Sequence, residues 1–142
     1  MLISIVIPSW NASETIGRAL NSVFTDNSSD SSDSDDSTKT LQSEVIVVDD
    51  GSEDHQELKQ LASLYPSVRL VTHELNKGMC AARNSGVEAS NGEIVLILDA
   101  DDELVDGWQH AFLRIVAEWP EDVAVCYSAC VNTEGLSTVQ DH

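Results

Sequence analysis

Short apolar runs rich in Val and Ile recur at residues 3–7, 45–48, 68–71, 94–98 and 123–127. Each has the length and β-branched character of a strand. Between them the apolar positions change to helical spacing: Ile16, Ala19, Leu20, Val23 and Phe24, then Leu58, Leu61, Ala62 and Tyr65, and later Trp108, Phe112, Ile115 and Trp119. Two helix starts carry the spacing of a capping box, with Asn11 three residues before Glu14 and Asp54 three before Glu57. Strands that alternate with helices predict an α/β fold, a mainly parallel sheet with helices on both faces. Runs 45–48 and 94–98 have no polar alternation, which predicts two central strands buried on both sides.

One segment breaks the alternation. Residues 25–43 hold a Ser/Asp tract with nothing apolar to bury and much self-repulsion, the composition of a disordered surface loop. It lacks the glycine turn and terminal glutamate of a calcium loop. The 142 residues suit one domain, and a hydrophobic fraction of 42% suffices for a core. The 25 acidic residues against 7 basic ones give a net charge of −18. Without Asp26, Asp30, Asp33, Asp35 and Asp36 of the tract, 20 acids still face 7 bases. Such a surface repels nucleic acid and anionic lipid, and no basic patch offsets it, so a nucleic-acid partner is set aside. Cys80, Cys126 and Cys130 fit neither a zinc site nor a disulfide framework and read as buried thiols in a reducing compartment. The amino terminus has no basic leader, and no stretch approaches the roughly 20 apolar residues of a membrane span. The expectation is a soluble, cytoplasmic chain.

In open α/β sheets ligands bind outside the carboxyl ends of the strands. The first run ends in Pro8-Ser9-Trp10-Asn11, the second in Asp49-Asp50-Gly51-Ser52 and the fourth in Asp99-Ala100-Asp101-Asp102-Glu103. Five aspartates are thereby expected at one rim. Two carboxylates about 5 Å apart repel by roughly 3 kcal/mol at an effective dielectric of 20, so a shared proton or a divalent cation should offset the crowding. No Cys or His adjoins either cluster in sequence, which points to a hard cation, Mg²⁺ or Mn²⁺. Such an ion takes one or two protein carboxylates and completes its shell with water and phosphate oxygens, so a diphosphate ligand is expected. Neither common glycine cradle for phosphates is present. Lys77, Arg83 and backbone amides are left to supply positive field, and Lys77-Gly78 leads into a loop-to-helix transition at Met79.

Taken together these residues resemble the inverting glycosyltransferases of family 2, which use the GT-A nucleotide-diphospho-sugar transferase fold. The resemblance runs from Ile3 to about Gly107. It is carried by Val6-Ile7-Pro8-Ser9-Trp10-Asn11, Val47-Val48-Asp49-Asp50-Gly51-Ser52, Asn76-Lys77-Gly78 with Ala82-Arg83-Asn84, and Asn91-Gly92-Glu93 leading into Leu98-Asp99-Ala100-Asp101-Asp102. It implies a Rossmann-like GT-A half that binds a nucleoside-diphosphate sugar, a UDP-sugar first among them, and passes the sugar to a hydroxyl of a glycan or lipid-linked acceptor in cell-surface polysaccharide synthesis. Pro8, Trp10 and Glu14 would border the nucleotide, and the Asp49-Asp50 pair would recognise base and ribose. Lys77, Gly78 and Arg83 would face the diphosphate. Asp99, Ala100 and Asp101 would form the Asp-x-Asp element, with Asp99 and Asp101 as ligands of Mn²⁺ or Mg²⁺.

The sequence departs from the family pattern in places. Trp10 stands where Tyr is common, and the tract at 25–43 lengthens a connection that is usually short. Nothing after Asp106 resembles the family's general base, so the resemblance implies a donor-binding part whose base lies beyond His142, with the full-length form expected at the inner face of the membrane. Two other readings compete. A non-catalytic sugar-nucleotide-binding remnant is favoured by the missing base. An Asp-dependent phosphotransfer protein would place key acids after the first strand, where Pro8-Ser9-Trp10 stands instead.

Overall fold

The branched Cβ atoms of Val and Ile suit the pleated, extended backbone. In the computed structural model, which describes residues 1–25 and 41–120, the apolar runs form a four-stranded parallel sheet. Its strands are β1 (Leu2–Ser9), β2 (Gln42–Asp49), β3 (Val68–Thr72) and β4 (Ile94–Ile97), in the order β3-β2-β1-β4. Ile5 of β1 pairs with Val45 of β2 on one side and Leu96 of β4 on the other. The helices are α1 (Ile16–Phe24), α2 (His55–Ser63), α3 (Met79–Ala89) and α4 (Trp108–Ala117). The expected strand at 123–127, Cys126 and Cys130 lie outside the described residues.

Alternate strand residues feed two cores. Ile3, Ile5, Ile7, Val45 and Val47 pack with Ile16, Ala19, Leu20 and Val23 of α1, Leu58 of α2 and Trp108 of α4. Val6, Ile46 and Val48 face the other way, onto Ala82 of α3. The chain steps from β1 to β2 to β3 in one direction and then crosses back to β4 beside β1. Right-handed crossovers put helices on opposite faces for opposite directions of travel, so α1 and α2 cover one face and α3 the other. The reversal point between β1 and β4 is where such a sheet opens a crevice at its carboxyl edge.

Close approach of α3 depends on Gly86. A Cβ there would run into Cγ1 of Val6 and lie 3.1 Å from Val6 Cγ2 and 3.2 Å from Val48 Cγ2. Val6 and Val48 are fully buried and stiff at χ1. Gly86→Ala gains up to about 1 kcal/mol of helix propensity but overpacks the interface by about 1–3 kcal/mol. We expect a net loss of about 1–2 kcal/mol in urea unfolding; a stabilised variant would show that α3 can retreat from the sheet freely.

A polar clamp at the amino ends of the strands holds the other end of α3. Ser4, wholly buried in β1, donates to Glu44 Oε1 at 2.6 Å and accepts from the Gly92 amide at 2.8 Å. Glu44 also accepts from the backbone and side-chain nitrogens of Asn91, and Arg69 donates to the carbonyl of Ala89. Burial works to raise the Glu44 pKa, but the bonds from Ser4 and Asn91 and the charge of Arg69 outweigh it, so the carboxyl lies below its ordinary range.

Three expectations are corrected. Among the described residues β4 is an edge strand, with Ile97 40% exposed, and β1 and β2 are the central pair. An apolar run reports cover on its faces, not a neighbour on each side. The interruption expected at 25–43 is narrower, because Thr25 closes α1 and Gln42 and Ser43 already pair with Leu2 and Ile3 in β1. Backbone pairing carries the strand past the apolar residues; the rest of that tract, 26–40, lies outside the described residues. Neither capping box forms. α1 starts at Ile16 and α2 at His55, both without a side-chain cap, and the side chains of Asn11 and Asp54 bond elsewhere.

Candidate functional site

Parallel pairing of β1 and β2 brings the loops that follow them side by side, and this explains the two lost caps. Asn11 adopts a left-handed backbone (φ 50°). Its side-chain Oδ1 accepts from the Glu53 amide at 2.8 Å, and its own amide donates to Ser52 Oγ at 3.0 Å. Asp54 Oδ2 accepts from the Ser13 amide at 2.9 Å, and the Asp50 amide donates to the Ser9 carbonyl at 2.8 Å. Each polar side chain that could have capped its own helix satisfies the opposite loop instead.

The Asp49-Asp50 pair does not stand free at the rim. Asp49 is 0% exposed; its Oδ1 accepts from the Ser52 amide at 3.0 Å and its Oδ2 from His55 Nδ1 at 2.5 Å. Asp50 is 2% exposed; its Oδ1 accepts from His73 Nδ1 at 2.6 Å and from the Lys77 amide at 2.9 Å, and its Oδ2 from the Gly78 amide at 2.8 Å. His73 Nε2 in turn meets Ser85 Oγ of α3 at 2.8 Å. Burial acts to raise the Asp50 pKa, but the bonds from His73, Lys77 and Gly78 prevail, and the carboxyl is held below its usual range.

Repulsion in this pair is therefore offset by two imidazoles and three amides, which corrects the expectation that no His adjoins the cluster. The third apolar run ends in the sequence Thr72-His73, at the same carboxyl edge as the acidic clusters. His73 follows directly on β3 and pairs its amide with the Asp49 carbonyl at 2.8 Å. The rule that pointed to the aspartates would have found it. His55, Ser85 and Ser9 carry no comparable local signal.

Between these loops and α3 opens a cavity of about 330 Å³, lined by Ser9, Trp10, Asp50, Asn76, Gly78, Met79 and Ala82. That size falls within the range of small-molecule sites. Trp10 is 53% exposed, so its ring forms one wall facing solvent. Ser9 is 1% exposed and its hydroxyl has no hydrogen-bond partner among the described residues, although an unpaired buried hydroxyl is costly. α3 begins at Met79, just after Gly78, without a side-chain cap, so its first-turn amides lie at the cavity's edge. Lys77 is exposed beside it.

Across the reversal point lie the acids that follow β4. Arg83 Nη2 donates to Asp99 Oδ1 at 2.9 Å, while Arg83 Nε is buried without a partner among the described residues. The Arg83 guanidinium is thus tied to the Asp-x-Asp element. Asp101 and Asp102 are exposed. Desolvation, and then the charges of Asp101 and Asp99, push the Asp102 carboxyl above its usual range. The acid-rich loop is pinned to α1, where the Leu104 amide donates to Ser22 Oγ at 3.0 Å. Among the described residues no group of three or more His, Cys, Asp or Glu side chains is gathered to hold a metal ion. Asp99 and Asp101 still supply what Mg²⁺ or Mn²⁺ asks of a protein, one or two carboxylates with the remaining sites open to ligand oxygens, so the donor set fits. Pro8 is buried next to the last residue of β1, and Glu14 is exposed in the loop beyond Trp10. Ala100 is buried against the larger core.

The chain is similar in sequence and fold to known proteins. The chain is 33% identical over 126 residues to the glycosyltransferase YibD of Escherichia coli K12, an alignment covering 87% of this chain and 33% of that protein. It is 32% identical over 102 residues to the E. coli UDP-Glc:alpha-D-GlcNAc-diphosphoundecaprenol beta-1,3-glucosyltransferase WfgD, covering 71% of this chain and 35% of that one. The crystal structure of S. aureus TarS 1-349 superposes with a TM-score of 0.64 at 25% identity, over 83% of this chain and 33% of that chain. The same TarS region in complex with UDP-GlcNAc superposes with a TM-score of 0.62 at 24% identity, a likeness of fold. The chain spans about a third of the length of these proteins. The family model for glycosyl transferase family 2 matches residues 4–141, nearly the whole sequence, and the chain belongs to that family.

Proposed function

We propose that this chain is the donor-binding region of a glycosyltransferase that moves a sugar from a nucleoside diphosphate to a hydroxyl acceptor. The observation that carries the reading is the cavity between the strand-end loops and α3, where a half-exposed Trp10, the Ser9 hydroxyl, unpartnered among the described residues, and the ionised Asp50 meet the start of α3. A nucleoside offers such a site a flat ring and polar edges, and a diphosphate suits free helix amides. Pro8, Trp10 and Glu14 border the nucleotide. Asp50 faces it, and Asp49 fixes the Gly51-Ser52 turn from beneath. Lys77 and Gly78 lie on the diphosphate side, and Arg83 orients Asp99. Asp99 and Asp101, on either side of Ala100, would hold Mn²⁺ or Mg²⁺, which would supply Lewis-acid stabilisation of the departing diphosphate.

A UDP-sugar is the proposed donor, in line with the UDP-glucose named for WfgD and the UDP-GlcNAc bound by TarS. A glycan or lipid-linked acceptor, like the diphosphoundecaprenol-linked one in WfgD's name, would place the work at the cytoplasmic face of a membrane. No described helix is itself long and apolar enough to cross one.

Titration with UDP, GDP and dTDP in the presence of Mn²⁺, followed by fluorescence with a Trp10→Phe control, is expected to show saturable binding of at least one nucleotide. Failure of all three with a folded sample sinks the reading. Asp101→Ala removes an exposed carboxylate, so stability should stay within about 0.5 kcal/mol, while the Mn²⁺ dependence of nucleotide binding disappears. Unchanged dependence would move the metal to other residues.

A further inference from the structure

We propose that His73 is a positioning residue for the nucleotide cavity, with Ser85 as its anchor, and that the two hold the Asp50 carboxylate in the one rotamer that both faces the cavity and closes the turn at Lys77 and Gly78. As a statement about donor binding this rests on the function proposed above; as a statement about the turn it does not.

An ionised carboxylate only accepts hydrogen bonds, so the proton of the His73–Asp50 contact sits on Nδ1. In the neutral ring that choice leaves Nε2 as an acceptor, and the Ser85 hydroxyl, 2.8 Å away, donates to it. The ring is thus fixed at both nitrogens, between strand end and helix, with its side chain 6% exposed. Packing alone would be served by an apolar side chain of similar size. A buried imidazole with both nitrogens satisfied is a directional part.

Direction matters because Asp50 makes two sets of contacts. Its Oδ1 shares one carboxylate edge between His73 and the Lys77 amide, and its Oδ2 takes the Gly78 amide beside the cavity. Without the Nδ1 donor the carboxylate is left to two amides on a surface loop and can swing about its last torsion, which has a broad, shallow profile. The turn and the ligand-facing oxygen then lose their fixed relation.

Asparagine and glutamine at position 73 separate the ring's two contacts. An Asn side-chain nitrogen falls near the place of Nδ1 and preserves the donor to Asp50. A Gln nitrogen reaches towards Nε2 and preserves only the link to Ser85. In the 142-residue chain, His73→Ala and His73→Gln are expected to weaken UDP binding in the presence of Mn²⁺ by about tenfold. They should also speed hydrogen exchange at the Lys77 and Gly78 amides by a similar factor. His73→Asn is expected to restore both to within about twofold of the parent, and Ser85→Ala to fall between. All are read well below each variant's own unfolding midpoint.

If Asn, Gln and Ala lower affinity and protection alike, the ring is only filler and the proposal is overturned. It is equally overturned if the parent binds UDP and His73→Ala binds as tightly with unchanged exchange. If the parent fails to bind UDP while the exchange pattern appears, the donor reading fails and the hold of His73 on the turn stands.

Discussion

Replacing Asp50 with alanine is expected to lower the free energy of unfolding by about 3–5 kcal/mol at pH 7, read from urea titration. The side chain is 4% exposed and accepts from His73 Nδ1 and from the amides of Lys77 and Gly78. Truncation strands His73 Nδ1 and the Lys77 amide, each at a cost of about 1–3 kcal/mol, while the Gly78 amide keeps Asn76 Oδ1 at 3.0 Å. Asp50→Asn should cost less, about 2 kcal/mol, since one amide oxygen can still serve His73 and Lys77 while its nitrogen faces the Gly78 N–H. The sign of the pH dependence follows from the lowered pKa. A carboxyl that ionises more readily folded than unfolded contributes its stability above the unfolded value, near 4, and loses it as pH falls through the lower folded value. The gap between the parent and Asp50→Asn should therefore narrow from pH 7 to pH 3. A gap of constant size would mean that the charge of Asp50 is not what the turn requires.

Gly51→Ala is expected to cost about 2–4 kcal/mol and to weaken nucleotide binding with it. Gly51 has φ +70°, where an L side chain meets its own backbone at about 1–2 kcal/mol. The added Cβ would also lie 2.5 Å from the Asn76 amide nitrogen and 2.6 Å from the Leu75 carbonyl carbon. Those are main-chain atoms, so the β3–α3 loop must move as a body, and Asn76 and Gly78 line the cavity. Gly51→Asn tells the two causes apart. Asn tolerates a left-handed backbone but carries the same Cβ. If crowding dominates, Asn is as harmful as Ala; a well-tolerated Asn would mean that backbone conformation alone sets the cost.

The strands and helices were legible because Val, Ile and Leu alternate between two periods, and the rim because acids cluster where apolar runs stop. Asp99 and Asp101 lie where that reasoning put them. What it did not supply was the partnership of side chains brought together from a distance. Asn11 and Asp54 have the local chemistry of caps, and only the parallel pairing of β1 with β2 decides that each serves the other's loop. His73 lies 23 positions from Asp50 and Ser85 a further 12, so nothing in either neighbourhood records a three-membered chain. The standing of β4 was misread for a related reason. Composition reports how a strand's faces are covered, whereas sheet order depends on where the crossovers return.

The bonds between residues 9–13 and 50–54 bear on how a site of this kind can change. Asn11 to Ser52, Glu53 to Asn11, Ser13 to Asp54 and Asp50 to Ser9 all cross from one loop to the other. Three of these pair a side chain of one loop with a main-chain amide of the other, so a transplanted loop that lacks Asn11, or Ser52 and Asp54, would leave amides of its neighbour unpaired. The two segments are expected to be exchanged, and to drift, as a single cassette 41 residues apart in sequence, so a library built to alter ligand preference should vary them jointly.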